Sequence, residues 1–592
     1  MHTPHTTSGA TMSPDQMFAE TLHGLKYRWL IKHLDHDQAK NIAYDHNLSY
    51  PIASVLATRN ITNDEQIRSF LFSSYEQDVP NPKLLKGLNC AVNRIIRAIN
   101  TKEKILVFGD YDVDGVTAAS MILTALMPLE ANINFFLPNR EKDGYGLSKK
   151  AVERALKSGY SLIITVDNGI TAFEAAQYAQ HHGIDLIITD HHQPHGQIPP
   201  AVSIVNPNQS DCPYPYKHLA GVGVAFKLMC GVYEYLQIKQ MPEKIYELLL
   251  LGTVADVVPL TGENRFWVRY GLHRINQYKS SALQALANNG SLNKESLDSL
   301  DIGFIIAPQI NALGRLSDPR DAVKFMISSD TTDVQRIGAI LKKMNDERKQ
   351  VEQHIYKSIE QSISNKLIDV EQEYVIIATN DAWPSGVIGL VAGKLVHNYG
   401  RPTFLFHLDK DGIAKGSCRS IPEFNIFDAL NANSDILIQY GGHACAAGVK
   451  IKQENLPLLK ERLSQQMAAL FRLDDLQPKL VIDAPLQLQD ATQKLLSDLE
   501  QLEPFGNQNT QPLFIIKDVT LLKQPQILKD KHVKCMIFAQ GIIKPVIFFN
   551  RPDLLPVLQN IGEKSFHLAA HILKNEWGGS TRIELQGIDI AY

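Results

Sequence analysis

Cysteine is scarce and scattered in this chain. Six are present (Cys90, Cys212, Cys230, Cys418, Cys445 and Cys535), and no two stand in a CxxC spacing. That argues against a disulfide framework and a cysteine-based structural zinc site, and it fits a reducing compartment, so a cytoplasmic protein is expected. Long apolar runs are lacking too: none approaches the ~20 residues needed to span a bilayer. The start, MHTPHTTSGATMSPDQ, has no basic-then-apolar leader pattern and reads as a tail. No membrane partner is expected. Neither charge sign dominates, since 59 Lys and Arg against 63 Asp and Glu leave a net −4. A polyanion would have to be held by local basic groups or metal ions, not by a global positive field. Internal repeats and low-complexity tracts are absent.

What is present is enough apolar material, 44% of 592 residues, for roughly three to five domains. From residue 104 short apolar runs alternate with helical stretches: KILVF (104–108), INFFLP (133–138), SLIITV (161–166), DLIIT (185–189) and SIVN (203–206). Such alternation predicts βαβ units and a doubly wound parallel sheet, whose sites collect at the carboxyl ends of the strands. Residues 333–364 are polar, with sparse apolar positions, and predict one long exposed helix of roughly 48 Å. A second α/β pattern begins at YVIIAT (374–379), and from about Gln477 short β runs dominate, predicting a small barrel or sandwich. The expected division is a tail and helical region over 1–75, an acid-rich catalytic α/β domain over 76–330, a connector helix over 331–370, a second α/β domain over 371–470 and a β domain over 471–592.

Acids gather where the predicted strands end. Asp110, Asp112 and Asp114, in GDYDVDG, follow the first strand; Asp167, in VDNG, follows the third; Asp190, His191 and His192, in TDHH, follow the fourth. Three neighbouring carboxylates repel, and each raises the pKa of the next unless a cation sits among them. Asp256 is a lone acid in LLLGTVADVVPL, and a buried carboxylate there must be paired or ligate a metal. Carboxylates with imidazole suit Mg²⁺ or Mn²⁺, the imidazoles tilting the choice to Mn²⁺. The number of ligands suits two ions about 3.5–4 Å apart, clamping the attacking and leaving oxygens of a phosphoryl centre. Taken singly, Asp167 reads as a turn residue and Asp190 as a helix cap. Their coincidence with the other acids is what favours a metal site. A second pair, His181 and His182, precedes Gly183 at a helix end and reads as C-terminal capping only.

The ordered set GDYDVDG, VDNG, TDHH and GTVADVVPL resembles the motifs of the DHH phosphoesterases. The further stretches QINALGRLSDP, GVIGLVAGKL, KGSCRSIPEFNIFDAL, GGHACAAG and EPFGNQNTQPLF resemble the branch of that family that degrades single-stranded DNA 5′→3′. The resemblance spans roughly residues 50–590. It implies a parallel-sheet DHH domain, a DHH-associated substrate-binding domain after the connector helix, and an OB-like C-terminal β domain. It implies Asp112, Asp114, Asp167, His191 and Asp256 as metal ligands, with Asp110 a ligand or an orienter of ligands. Asp112, Asp114, Asp167 and His192 would carry the chemistry, His192 assisting with protons or phosphate charge. Some members carry His two residues before the first Asp; here that position is Phe108.

For substrate capture the resemblance implies that Arg315, Ser417 and Arg419 hold a 5′-terminal phosphate, near Lys415. Gly441, Gly442 and His443 would let backbone N–H groups close on phosphate before a side-chain donor. Trp383 is a candidate for packing or for base stacking, and Tyr145, in DGYGLS, for stacking. Where the family often has Trp-His-x-Gly, this chain has Trp383-Pro384-Ser385-Gly386, so any phosphate contact from that His is missing. The implied activity is two-metal hydrolysis of single-stranded DNA to 5′-mononucleotides by a monomer, in repair and recombination, beside single-strand-binding protein and a helicase. The rivals are a DHH phosphatase for short oligonucleotides and a DNA-binding scaffold with a dead site. Loss of ligand residues would mark the scaffold, and none of the main positions is lost.

Overall fold

The computed structural model describes residues 18–139, 144, 146–194, 196–316, 318–577 and 580–592; of residues 314–316, 576, 577, 580 and 581 it describes the backbone. The chain forms two compact units. One comprises residues 72–351 with 503–510, and the other takes in the segments up to 71, 352–502 and 511–592.

In the first unit all five apolar runs become strands of one parallel sheet: Ile105–Gly109, Ile133–Phe136, Leu162–Val166, Asp185–Thr189 and Ser203–Val205. Across the sheet the strand at 133–136 comes first, then 105–109, 162–166, 185–189 and 203–205. The chain order therefore reverses around Ile105–Gly109, the switch point at which open α/β sheets form their crevice. Except along the edge strand Ile133–Phe136 both faces are buried, which is why the other strands are continuous apolar runs and not alternating ones. Ile105, Val107, Ile164 and Ile187 enter one core, under the helices Val113–Leu126 and Gly221–Tyr235. Leu106, Phe108, Ile163 and Ile188 enter another, under Lys149–Lys157 and Phe173–His181. The His pair at 181–182 caps that last helix, each Nδ1 donating to the carbonyl four residues back. The polar stretch forms one unbroken helix, Thr331–Ser364, and the division between the units falls inside it.

The second unit contains the second α/β layer and the β domain. The former is a five-stranded sheet in the order 437–443, 446–452, 413–419, 403–408, 376–380, parallel only between the last two. The β domain closes on itself: Phe514–Leu521, Phe566–Trp577, Ser580–Ala591, Ile542–Phe548 and His532–Ala539 pair in turn. The pairs Thr520–Phe538 and Leu521–Ile537 complete the ring. This is the five-stranded OB-like barrel expected from the sequence.

The region 1–75 is not only tail and helices. Phe18–His23 and Arg28–Lys32 form an antiparallel hairpin, and Arg28–Lys32 also pairs in parallel with Lys479–Ile482. The apolar stretch YRWLIK is short, and its partner strand lies about 450 residues away, so no local pattern announces it. Trp29 is fully buried, and its indole N–H donates to Asp589 Oδ2 at 3.0 Å, a carboxylate that also takes the backbone N–H of Lys26 and Tyr27. Replacing Trp29 with Ala should destabilise this unit by about 3–5 kcal/mol, the cost of deleting a buried aromatic, with a smaller loss for Trp29→Phe. Denaturant unfolding of the two variants measures this, and an unchanged midpoint would show that the hairpin is dispensable.

Candidate metal centre

The strand register places the site. Gly109, Val166, Thr189 and Val205 lie side by side across the sheet, so the residues that follow them, Asp110, Asp167, Asp190 and Asn206, emerge along one edge. The GDYDVDG segment turns there from strand to helix. Asp112 is the N-cap, its carboxylate accepting from Gly115 N at 3.1 Å. A Cβ on Gly115 would lie 2.5 Å from the Asp110 carbonyl oxygen, so the turn needs glycine there. Asn311, from QINALGR, takes the intervening Val113 N–H on its Oδ1 at 3.1 Å.

Asp114 is buried and grips a second helix. Its two oxygens accept from Gly221 N at 2.6 Å and Val222 N at 2.7 Å, the amino end of Gly221–Tyr235, where the helix dipole favours an anion. Gly221 is small for a reason, since a Cβ there would come within 2.6 Å of Asp167 Cβ. Asp167 itself holds φ +61°, a left-handed conformation that a non-glycine residue keeps only when its surroundings impose it. Asn168 fixes the turn by donating to the carbonyls of Phe108 (3.2 Å) and Val166 (2.9 Å). Asp167 is thus both the expected turn residue and a member of the cluster.

Asp190 organises the histidines. One oxygen accepts from His191 N (2.8 Å), His192 N (3.1 Å) and His192 Nδ1 (2.7 Å); the other accepts from Ile170 N (2.9 Å). Asn206 Nδ2 donates to the His192 carbonyl, and Asn208 Nδ2 to that of His191. With Asn311, Gly221 and Val222, these asparagines were missed from sequence. The one available signal was VNPN directly after the last strand. His191 Nε2 faces Asp167 Oδ1 at 3.2 Å, Asp256 Oδ2 at 3.6 Å and Asp114 Oδ2 at 3.9 Å. Asp256 caps the end of the helix Lys244–Ala255. Neither His191 Nε2 nor Asp256 Oδ2, both buried, makes a hydrogen bond.

Among the described residues, three groups of side chains have ligand atoms within 4.8 Å of one another: Asp114 with His191 and Asp256, Asp110 with Asp112 and Asp167, and Asp167 with His191 and His192. Burial, then the neighbouring Asp112, pushes Asp114 up to about 7. Burial and the surrounding acids hold Asp167 and Asp256 well above the ordinary carboxylate range. Burial, then the charge of His192, lowers His191 to about 4, so its ring is neutral at pH 7. For His192 burial works downward, but the bond to Asp190 outweighs it and raises the pKa. Without a cation the centre therefore holds protons. A buried set of hard oxygens with one neutral imidazole nitrogen fits Mn²⁺ or Mg²⁺.

Apart from Arg315, the candidate phosphate set lies in the second unit. Ser417 pairs with Gly448, which pairs with Gly441; Arg419 pairs with Ala446, which pairs with His443. These two rows share one face of the sheet, with small residues between Ser417 and Gly441 and between Arg419 and His443. Arg419 donates to Ser417 Oγ at 3.3 Å, and Gly389, from GVIGL, lies close over both side chains. Lys415 is on the same strand, 3.6 Å from Asp409. Gly442, at φ +144°, stands where a Cβ would meet the Ala446 carbonyl at 2.4 Å. Trp383 is only 5% exposed, and its carbonyl accepts from His407. Its ring is packing and offers no face to a base. Pro384 is the N-cap of Ser385–Tyr399. Arg315 lies on the helix Ala307–Leu316, but its side chain is outside the described residues, as is Tyr145.

Three family models match the chain: the DHH family N-terminal domain over residues 104–253, the DHHA1 domain over 372–469 and the RecJ OB domain over 482–589. The single-stranded-DNA-specific exonuclease RecJ of Bacillus subtilis is 34% identical over 96% of this chain and 71% of its own length. That of Haemophilus influenzae is 32% identical over 89% of this chain and 93% of its own. The crystal structure of RecJ in complex with Mn²⁺ from Thermus thermophilus superposes with a TM-score of 0.80 at 26% identity, covering 96% of this chain and 80% of that one. With this much of each relative matched, the chain belongs to the RecJ family.

Proposed function

We propose that this chain hydrolyses single-stranded DNA from its 5′ end, releasing 5′-mononucleotides, with two Mn²⁺ or Mg²⁺ ions at the buried acid centre. The observation that carries the reading is the convergence of Asp110, Asp112, Asp114, Asp167, His191 and Asp256 on one sheet edge, in a chain of this family. Asp114, His191 and Asp256 would hold one ion and Asp110 with Asp112 the other, Asp167 standing between the two groups. Bound there, the ions would supply Lewis acidity and an activated water for phosphodiester hydrolysis. The chain's own groups do the rest. The bond to Asp190 raises the pKa of His192 and aims its ring, and the side chain is 41% exposed, so that its protonated form can donate to a phosphate oxygen. Neutral His191 has no proton to give up to a cation. Ser417, Arg419 and His443 would take the terminal phosphate, guanidinium and hydroxyl matching its oxygens. The OB-like barrel favours an extended strand over the dinucleotide-sized substrates of the phosphatase reading.

Removing a central carboxylate should separate function from stability. Asp167→Asn keeps a residue tolerant of left-handed φ and deletes a charge from among four other acids. Degradation of a labelled single strand with Mn²⁺ should fall at least ~100-fold, consistent with losing several kcal/mol of metal-derived stabilisation, while the metal-free melting temperature holds or rises. Undiminished degradation would reject the assignment.

The titrations carry a sign. Asp114 titrates at about 7 folded against an ordinary 3.8, so the folded chain binds the extra proton; that stability is present at low pH and lost as pH rises through 7. Raised His192 acts in the same direction. Lowered His191 acts in the opposite direction, but its contribution is already half spent at 6.5, the ordinary value for His, and fades within about one unit above it. The metal-free protein should therefore melt lower at pH 8 than at pH 6.5, and Mn²⁺ should raise the melting temperature more at pH 8. Equal Mn²⁺ effects at both values in a thermal-shift assay would contradict this.

Polarity is tested with substrates blocked at one end. A 5′ block should stop digestion and a 3′ block should not. Arg419→Ala should abolish the preference for a 5′-phosphate over a 5′-hydroxyl, chiefly through KM. Digestion insensitive to the 5′ block would reverse the proposed direction.

A further inference from the structure

One motif, EPFGNQNT at 503–510, has no part in the chemistry above. These eight residues belong with the acid-bearing unit, although the chain on both sides of them belongs to the other. They form a closed turn, Gly506 N donating to Asn509 O and Asn509 N to Gly506 O. The buried Asn509 side chain braces it from within by donating to Pro504 O at 2.8 Å. Ser299 Oγ anchors it through the Phe505 carbonyl at 2.6 Å. Gly506 lies so close to Leu260 that a Cβ would come within 2.6 Å of that side chain.

The turn sits on the residues that follow Asp256. Asn507 Nδ2 donates to Val257 O at 2.7 Å, and Asn507 O accepts from Leu260 N at 2.8 Å. Both ends of the 257–260 loop are thus held by one residue. Val257 has φ +58°, a conformation in which a β-branched residue is an outlier and persists only when over-determined. It is also largely exposed, so core packing does not impose it. Tyr216 and Asn264 hold the far side of the loop through the Pro259 carbonyl, and among the described residues Asn507 is the side chain that bonds the half next to Asp256.

We infer that Asn507 is a positioning residue for Asp256: by fixing the left-handed Val257 peptide it aims the Asp256 carboxylate at His191 and Asp114. The inference rests on the proposed metal reading of that cluster. Its test is Mn²⁺ binding to the full chain by calorimetry. The wild type should take up two ions. Asn507→Ala should weaken one of them by about 10-fold or more, the range for residues that orient metal ligands, and leave the other unchanged. Asn507→Ser, with a shorter donor, should fall between. Gln508→Asn, at the next position, should match the wild type. In an Asp256→Ala background, Asn507→Ala should weaken nothing further, which a general structural defect would not reproduce. Two wild-type affinities in Asn507→Ala, or equal weakening with and without Asp256, would overturn the inference while leaving the metal reading intact. A wild type that takes up no Mn²⁺ would overturn the metal reading and this inference with it.

Discussion

The repulsion among five carboxylates at one rim of a buried sheet is the constraint around which this unit is built. At separations of a few ångström and out of water, such charges cannot all persist. The fold answers in two ways. It gives Asp114 two backbone amides at a helix end, and it lets burial and the neighbouring acids raise the pKa of Asp167 and Asp256 well above the ordinary carboxylate range. Both answers are partial. The bare imidazole nitrogen of His191, turned towards three of the acids, completes a set that suits a cation. On the metal reading proposed above, stability is given up locally so that an arriving ion finds its ligands already placed.

Holding those acids in place falls largely to asparagine and glycine. Asn311 takes the amide between Asp112 and Asp114; Asn168 straps the Asp167 turn to two strand ends; Asn206 and Asn208 hold the carbonyls of the two histidines. Gly115 and Gly221 allow approaches that any Cβ would block. Asparagine suits the task because it donates to carbonyls without adding charge to a region already overloaded with it.

Much of this was legible in the sequence because it is local. Five aliphatic runs became five strands, and the acids directly after them had to share an edge once the sheet was parallel. Asp190 shows the limit. TDHH marks its place but not its task, which is to accept four hydrogen bonds while its neighbours face the cluster. Trp383 shows another limit, since a tryptophan between polar residues reads equally as packing or as a platform, and only burial decides. The hairpin at 18–32 and the braces at Asn206, Gly221 and Asn311 depend on partners tens to hundreds of residues away. Periodicity within a window carries no trace of them.

The pairing of Arg28–Lys32 with Lys479–Ile482, and of Trp29 with Asp589, has a consequence for how the molecule is made. During synthesis the hairpin at 18–32 leaves the ribosome with neither its third strand, Lys479–Ile482, nor the acceptor for its indole yet translated. The acid-bearing unit, nearly all of it contiguous over 72–351, can close first. The other unit must wait until Asp589 has emerged, and only then does the hairpin at 18–32 find its place.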